Sequence, residues 1–209
     1  MIYSQFVFVC FTAATTLYCQ REAKMPEKRE NRRVRMTKRL MKDALLELLE
    51  NNELVNISVT AICKTADVHR STFYEHYTDP ADLLREVEQD VLDRIPVPSP
   101  LPDSQDQEKL LESTTAFFDY VKENEKAFRI LFSEKAESSF SSRMVEFLCS
   151  GSIPVYDESD ETTVRFIRLY IANGAVGMMR EWISSGFPVS SRRIAEMMYF
   201  LSRKLAAGE

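Results

Sequence analysis

The chain has 209 residues and a formal net charge of −5, which is enough length for one or two small domains with a buried core. No pair of its four cysteines has metal-ligand spacing, and together they predict buried thiols in a reducing, cytoplasmic compartment and not a disulfide framework. Few glycines and an abundance of Leu, Met, Ala, Glu, Lys and Arg predict an all-α fold, and no alternating strand pattern is present.

The first twenty residues, MIYSQFVFVCFTAATTLYCQ, are uncharged and largely apolar. Polar residues interrupt them too often for a typical membrane anchor, and no basic residue precedes them as in a signal peptide. A start codon assigned too far upstream, with translation beginning at Met25, fits better. We therefore expect residues 1–24 to be a mis-assigned or disordered leader. A membrane contact is expected only if the first 20 residues are a genuine anchor.

The next segment is strongly basic. Residues 21–42 hold ten Lys or Arg against three Glu, whereas residues 43–209 carry a net charge of −12. A basic front end on an acidic body is typical of a protein that touches nucleic acid with one end, although a solvated arm is the simpler alternative. An amphipathic helix is predicted from about Arg32 to Asn51, with one apolar row formed by Met36, Leu40, Ala44 and Leu48.

Residues 58–77 are the most informative stretch. Ser58 precedes apolar residues at helical spacing as an N-cap, and Asp67, Val68 and His69 then interrupt the period. A second short helix is predicted from about Arg70 to Tyr77. Two short helices around a three-residue turn, the second carrying exposed hydrogen-bond donors, predict a helix-turn-helix that enters a DNA major groove.

This stretch resembles the DNA-binding unit of the TetR/AcrR family of bacterial transcription regulators. The resemblance covers about residues 36–94 closely and continues beyond them as helix number and length. It is carried by residues matched at fixed spacing, namely Ile57-Ser58-Val59, Ala66-Asp67-Val68, Ser71-Thr72-Phe73-Tyr74, His76-Tyr77, Asp79 and Leu83-Leu84.

The resemblance implies that the third helix lies in the major groove of a palindromic operator. It places Arg70, Ser71 and Thr72 at base edges or nearby phosphates, and Tyr74, His76 and Thr60 at the phosphate backbone. A capping or core role for His76 remains equally open. The full set of expected DNA-contacting residues is Arg32, Arg33, Arg35, Lys38, Ser58, Thr60, Arg70, Ser71, Thr72, Tyr74 and His76.

The charge of the helix-turn-helix itself is low. Residues 59–80 contain two full positive charges, Lys64 and Arg70, and Glu75 lies within the third helix. Pro80 stands where many relatives have a lysine. Glu75 is either a solvated residue or an acceptor for cytosine. Most of the electrostatic attraction to DNA is therefore expected from the basic arm.

A fourth helix is predicted to begin at Asp79-Pro80 and to stop at Pro96, and the proline-rich stretch 96–102 is the expected boundary. We thus expect a basic arm and DNA-binding domain over residues 25–94 and a helical dimerisation and effector-sensing domain over 95–209. Further helices are predicted from about 103 to 123, near 128–132, and at about 140–148, 161–185 and 191–205. Residues 157–161 are read as an acidic helix start.

The resemblance implies that the last two helices pair with those of a second copy. The residues expected in that homodimer interface are Gly174, Gly177, Trp182, Ile194, Met198 and Leu201. The alternative is that the two glycines accommodate a bulky neighbour within one subunit. An apolar effector pocket, in which most side chains are equally well explained as core, is assigned to Phe117, Phe118, Phe128, Phe166, Tyr170 and Met178.

These features predict a dimeric, ligand-responsive DNA-binding regulator, and repression is the expected mode. The expected partners are double-stranded operator DNA, a second copy of the chain and a small apolar effector. The alternative is a family member that has lost operator binding and docks another regulatory protein. An enzyme is disfavoured, since no catalytic set or phosphate-binding loop is visible. His69 and His76 have no plausible third metal ligand, and neither a metal nor a cofactor is expected.

Overall fold

The computed structural model describes residues 32–96, 107–136, 139–149 and 161–207. Every regular element in these ranges is a helix, which confirms the predicted all-α fold. The leader, the part of the basic arm before Arg32, almost all of the proline-rich boundary and the loop before Glu161 lie outside the described residues.

The helices follow the predicted order. In chain order they are α1 (Arg32–Leu49), α2 (Val59–Ala66), α3 (Arg70–Tyr74), α4 (Pro80–Asp93), α5 (Gln107–Glu123), α6 (Glu125–Leu131), α7 (Phe140–Cys149), α8 (Glu161–Ser184) and α9 (Ser191–Ala207), with 3₁₀ turns at Leu54–Asn56 and Glu134–Ala136. No helix in the described ranges is both long enough and apolar enough to cross a membrane.

Contacts divide the chain into two compact units. Among the described residues, the head unit contains residues 32–94 and 126–140, and the body unit contains residues 95–125 and 141–207. Residues 126–140 therefore belong to the head unit, whereas the sequence pattern grouped them with the second domain. The chain leaves the body unit after α5 and returns to it at the start of α7.

The core of the head unit is formed by the apolar faces of α1 to α4. Phe73 of α3 is fully buried and lies with its ring centroid 5.6 Å from that of Tyr77. The large fully buried side chains around this core include Met41, Leu45, Leu49, Ile62 and Leu83. Burial of such side chains stabilises the head by roughly 1.5–3 kcal/mol each.

Helix starts in the head are set by side-chain caps, as predicted. The Oγ of Ser58 accepts a hydrogen bond from the backbone N–H of Ala61 at 3.1 Å, and Asp79 accepts from the N–H of Asp82 at 2.8 Å. Pro80 occupies the first turn of α4, where its missing N–H has no helical acceptor to lose. These caps fix the start of α2, the first helix of the helix-turn-helix, and the start of α4, the helix that follows the motif.

A mixed-charge cluster joins α1 to α4. The Nζ of Lys42 lies 2.7 Å from a carboxylate oxygen of Glu86 and 2.8 Å from one of Asp90. The Nζ of Lys38 lies 3.5 Å from Glu86 and 5.8 Å from the ring centroid of Tyr77. We call Lys38, Lys42, Tyr77, Glu86 and Asp90 the α1–α4 cluster. It fixes the first helix against the helix that follows the recognition motif.

Residues 126–140 have their own aromatic contact and are tied to the rest of the head by polar contacts. Phe128 and Phe140 are buried, and their ring centroids lie 5.8 Å apart. The Nζ of Lys135 donates to the backbone carbonyl of Glu50 at 2.6 Å, just beyond the C-terminus of α1. The Oγ of Ser139 donates to the buried carboxylate of Glu88 at 3.1 Å. This segment thus contacts the end of α1 and the interior face of α4.

The body unit is organised around an aromatic cluster between its helices. The Trp182 ring lies edge-on to Phe118 and Phe187, with centroid distances of 5.2 and 4.7 Å. Its Nε1–H donates to the backbone carbonyl of Val189 at 2.9 Å. Helices α5 and α9 pack together, and Arg192 pairs with Glu108 across them at 3.0 Å. The same cluster therefore holds the turn between α8 and α9.

One predicted apolar row is not buried as expected. Met36 and Leu40 of α1 are 55% and 39% exposed, whereas Ala44 in the same row is buried. The buried face of α1 follows the neighbouring apolar row of the sequence, Met41, Leu45 and Leu49. The first turns of α1 therefore present apolar side chains on the surface between basic residues.

Candidate nucleic-acid interface

The turn between α2 and α3 is formed by a residue in a left-handed conformation. Asp67 has φ 53° and ψ 49° and ends α2, and the backbone N–H of Val68 donates to the carbonyl of Cys63 at 3.0 Å. Asp and Asn tolerate this conformation better than most side chains. The sharp reversal brings the N-terminus of α3 directly after α2, as a helix-turn-helix requires.

Helix α3 is shorter than predicted, since it ends at Tyr74 and not at Tyr77. The backbone N–H of Tyr77 nevertheless donates to the carbonyl of Phe73 at 2.9 Å, so the turn remains compact. Phe73 and Tyr77 are both buried, which agrees with their assignment to the core on the basis of spacing. With these two rings turned inward, Arg70, Ser71 and Tyr74 of α3 face outward.

Most predicted contact residues of the motif lie on its surface. Thr60, Arg70, Ser71 and Tyr74 are exposed, whereas Thr72 and His76 are half-buried. Ser58 is also exposed, but its Oγ already accepts the capping hydrogen bond from Ala61. The exposed face of α3 therefore offers hydroxyl donors and one guanidinium.

Arg70 and Tyr74 contact each other on that face. The Nη2 of Arg70 donates to the Oη of Tyr74 at 3.5 Å, and the guanidinium carbon lies 6.0 Å from the ring centroid. This hydrogen bond is the largest influence that raises the pKa of Arg70 above its ordinary value. The guanidinium is fully exposed and remains charged at any physiological pH.

His76 lies at the border between surface and core. Its ring is half-buried and meets that of Tyr77 edge-on at a centroid distance of 6.3 Å. This position is compatible with packing against Tyr77 and with a polar atom turned to a phosphate. Both roles considered from the sequence therefore stay open for this residue.

The described part of the basic arm is the first turn of α1. Arg32, Arg33 and Arg35 are exposed there. Lys38 differs from them, because its ammonium group is half-buried in the α1–α4 cluster, near Glu86 and Tyr77. Its charge is largely compensated within the head, so the three arginines are the stronger candidates for phosphate contacts.

The carboxylate at the centre of the α1–α4 cluster has a shifted pKa. Burial acts to raise the pKa of Glu86, but the hydrogen bond from Lys42, the charges of Lys42 and Lys38 and the nearby Tyr77 hydroxyl outweigh it and lower the pKa below its ordinary value. The carboxylate is therefore ionised near neutral pH. The sequence pattern did not reveal this cluster, although Lys38 and Lys42 at i, i+4 on one face of α1 are the signal from which it could have been inferred.

Cys63, on the inner face of α2, is a structural thiol. Burial raises its pKa above the ordinary value, although the nearby charge of Arg70 acts in the opposite direction. A buried thiol with a raised pKa is a poor nucleophile and a poor metal ligand. This placement agrees with the buried role predicted for it from helical spacing.

The residues assigned to an effector pocket occupy different environments. Phe117 and Phe118 are buried in the body unit, Met178 is half-buried, and Phe128 packs inside the head unit. Phe166 and Tyr170, by contrast, are 65% and 67% exposed. The pocket assignment stays a prediction, and the exposure of these last two residues shows that apolar spacing alone does not distinguish a pocket wall from an exposed helix face.

The residues assigned to a dimer interface also separate into two groups. Gly174, Gly177 and Leu201 are exposed, and Met198 is half-buried. Trp182 and Ile194 are each only 3% exposed and are packed inside the body unit, so they offer little surface to a second copy, and the interface assignment stays a prediction. A Cβ placed on Gly174 or Gly177 would meet no atom within 4 Å, so these glycines do not accommodate a neighbour among the described residues.

Sequence reasoning missed two exposed apolar residues of α9. Met197 and Phe200 are 39% and 58% exposed, next to Leu201. With Phe166, Leu169 and Tyr170 of α8 they are among the most exposed large apolar side chains of the body unit. We call Phe166, Leu169, Tyr170, Gly174 and Gly177 of α8, with Met197, Phe200 and Leu201 of α9, the α8–α9 apolar face.

Comparison with known proteins agrees with this architecture. Residues 108–204 match a TetR C-terminal family described as "Transcriptional regulator C-terminal region". No curated protein matches the chain.

Two solved structures are similar over most of their length. One is the "Dihydroxyacetone kinase operon activator DhaS", with 21% identity and a TM-score of 0.54 over 82% of this chain and 96% of that one. The other is a TetR-like transcriptional regulator from Rhodococcus sp. RHA1, with 18% identity and a TM-score of 0.53 over 83% of this chain and 97% of that one. At these identities the two likenesses establish the fold. Together with the matched C-terminal region, they show that the described helices have a TetR-like fold.

Proposed function

We propose that the protein is a dimeric, sequence-specific DNA-binding regulator that binds a palindromic operator through α2 and α3. The observation that carries this proposal is the outward face of α3, where Arg70, Ser71 and Tyr74 are exposed while Phe73 is buried. Hydroxyl groups position a protein on phosphates, and an arginine fork reads guanine in the major groove. A short helix with this division of faces suits insertion into the groove.

The arm supplies much of the affinity in this proposal. Arg32, Arg33 and Arg35 are exposed at the start of α1, whereas α3 itself contributes a single arginine. Neutralising phosphates releases counterions, so binding is expected to weaken steeply with salt. The helix-turn-helix provides geometry and base contacts, and the arm provides sequence-independent attraction.

Dimerisation is proposed through the α8–α9 apolar face. Large side chains such as Phe166 and Tyr170 of α8 and Phe200 of α9 are exposed, and Gly174 and Gly177 of α8 have open space at the Cβ position. Exposed apolar residues of this kind mark association surfaces, and glycine permits close approach of two helices. A two-fold dimer places two recognition helices on two half-sites about one DNA turn apart, or a multiple of it.

We further propose release from DNA by a small apolar effector bound in the body unit. The segment 126–140 supports a link to the head, because it is covalently continuous with α5 and α7 yet ties to Glu50 and Glu88 of the head. An effector that binds one arrangement of α5 and α7 more tightly than another would favour that arrangement. Residues 126–140 connect these two helices, so their position would change with it. Buried aromatic residues such as Phe117 and Phe118 favour an apolar ligand.

Repression is the proposed mode, although one structural neighbour is described as an operon activator. The alternative is a regulator that has lost operator binding and docks another regulatory protein. The low positive charge of α3 and the acidic residue Glu75 favour this alternative, because both weaken attraction to DNA. Sequencing of genomic DNA fragments retained by the purified full chain separates the two. A palindromic motif is expected, and a reporter gene placed behind it should be less active when the protein is present. Retention of fragments without any shared motif would contradict operator recognition.

A further inference from the structure

The exposed surface of α3 depends on one charged side chain for base recognition. Arg70 is the only Arg or Lys between Lys64 and Arg85, and both Asp67 and Glu75 lie close to it in sequence. A free arginine side chain has a large rotamer entropy, and fixing it on a base edge costs part of the binding free energy. A neighbouring group that orders Arg70 before binding would reduce this cost.

Tyr74 has the geometry of such a group. It lies one helical turn after Arg70, and its Oη accepts a hydrogen bond from Nη2 at 3.5 Å. The guanidinium carbon stands 6.0 Å from the ring centroid, within the usual range of a cation–π contact. The remaining donors of the guanidinium fork stay available to a partner outside the protein.

The Tyr74 ring is itself held by a contact with the core of the head. It meets the ring of Phe73 edge-on, with a centroid distance of 5.7 Å and an interplanar angle of 87°. Phe73 is fully buried in the head core. A continuous series of contacts therefore runs from the core through Phe73 and Tyr74 to the guanidinium of Arg70.

We infer that Tyr74 is a positioning residue for base recognition, holding the Arg70 guanidinium toward a guanine in each half-site. The inference rests on the proposed operator binding and adds a role for Tyr74 that differs from a direct phosphate contact. A phosphate contact would strengthen binding to every sequence alike. A positioning role instead affects discrimination at the one base that Arg70 reads.

The two roles are separated by a double-mutant cycle on the full chain. Operators are selected from random duplexes with the wild-type protein, and Kd values are then measured for the selected operator and for versions with each guanine replaced. The variants are Tyr74→Phe, Tyr74→Ala, Arg70→Ala and the double variant R70A/Y74F. Thr60→Val serves as the matched control, because it removes an exposed hydroxyl of the motif at a distance from Arg70 along the chain.

Tyr74→Phe is expected to reduce the preference for one guanine about two- to fivefold, with little change on unrelated duplexes, and Tyr74→Ala is expected to reduce it further. In the Arg70→Ala background, Tyr74→Phe should leave base preference unchanged. Thr60→Val should weaken binding to all operator versions by a similar factor. Tyr74 is more than half exposed, so thermal melting is expected to report folded proteins throughout.

Two results would overturn the inference while the proposed function stands. The first is an equal loss of affinity on every operator version when Tyr74 is changed, with or without Arg70. The second is a selected motif that Arg70→Ala leaves intact. Failure of the wild-type protein to select any motif is a different outcome, since it refutes operator binding itself.

Discussion

At the residue scale, the turn of the helix-turn-helix depends on a backbone conformation that few side chains adopt. Asp67 has φ 53°, and its own N–H and that of Val68 both donate to the carbonyl of Cys63. These bonds satisfy a carbonyl at the end of α2 that would otherwise lack a helical partner. The conformation costs free energy for any residue with a Cβ, and Asp bears it better than most.

Replacing Asp67 by Gly is therefore expected to raise the free energy of unfolding, by about 0.5–1 kcal/mol after allowance for the greater freedom of glycine in the unfolded chain. The matched control is Thr65→Gly in α2, because Thr65 has an exposed side chain and an ordinary helical backbone. This variant should lower the free energy of unfolding by about 1 kcal/mol. Urea unfolding of both variants measures the difference. A destabilised Asp67→Gly protein would mean that the Asp side chain contributes more than its backbone strain costs.

At the element scale, the position of the DNA-binding motif is set by ion pairs as well as by the apolar core. The α1–α4 cluster joins the helix before the motif to the helix after it, through Lys42, Glu86 and Asp90 at distances below 3 Å. These groups are partly shielded from solvent, so they are screened less by salt than surface pairs. The spacing of Lys38 and Lys42 was visible in the sequence, but their partners are about fifty residues away.

The lowered pKa of Glu86 predicts a pH dependence of stability. A carboxylate whose folded pKa lies below its unfolded value contributes stability above the unfolded value, near 4.5, and loses it as the pH falls through the folded pKa. Glu86→Gln is therefore expected to lower the melting temperature at pH 7 and to differ progressively less from wild type below about pH 4.5. Asp43→Asn is the control, because Asp43 pairs with Arg39 on the exposed side of α1, outside the α1–α4 cluster. Equal melting temperatures of wild type and Glu86→Gln at pH 7 would contradict the role of the cluster.

Helix α8 illustrates how far periodicity can be interpreted. Its apolar residues cover more than one face, which predicted burial on two sides. In the single chain one side is buried, including Ala172, Ala175 and Met179, whereas Phe166 and Tyr170 are exposed. The second side is the α8–α9 apolar face, which we propose a second copy covers.

Substitution of the two glycines on that face should change subunit stability and association in opposite directions. Gly174→Ala and Gly177→Ala are expected to raise the free energy of unfolding of the separated subunit by about 1 kcal/mol each, since both lie inside a helix with open space at the Cβ. The same methyl groups should weaken dimerisation if two helices approach there. Sedimentation over a range of concentrations, with thermal melting at low concentration, measures both effects. Dimerisation as tight as in wild type would place the contact elsewhere.

At the scale of the whole molecule, charge is distributed unevenly along the chain. The basic stretch at residues 21–42 precedes an acidic remainder with a net charge of −12. An overall negative protein can bind DNA only if its positive end is presented first and the remainder is kept away from the phosphates. The exposed arginines at the start of α1 satisfy the first condition.

Replacing Arg32, Arg33 and Arg35 by Ala is expected to flatten the salt dependence of operator binding. Each lost phosphate contact should reduce the slope of log K against log salt by about one unit. Lys38→Ala is an informative control, because Lys38 contacts Glu86 and Tyr77 within the head. This substitution should lower thermal stability more than it changes the salt-dependence slope. A slope unaltered in the triple variant would exclude the arm from the DNA interface.

The sequence by itself determined the helical class, the order of the helices and the helix-turn-helix, because these depend on local signals. Ser58 and Asp79 as caps, Pro80 at a helix start and the spacing of Phe73 and Tyr77 act within a few residues. Only the tertiary structure decided which apolar residues are covered. Trp182 became core and Phe166 surface, residues 126–140 joined the head, and Lys38 acquired Glu86 as a partner. The physical reason is that burial and ion pairing depend on neighbours distant in sequence, and helical periodicity contains no information about their identity.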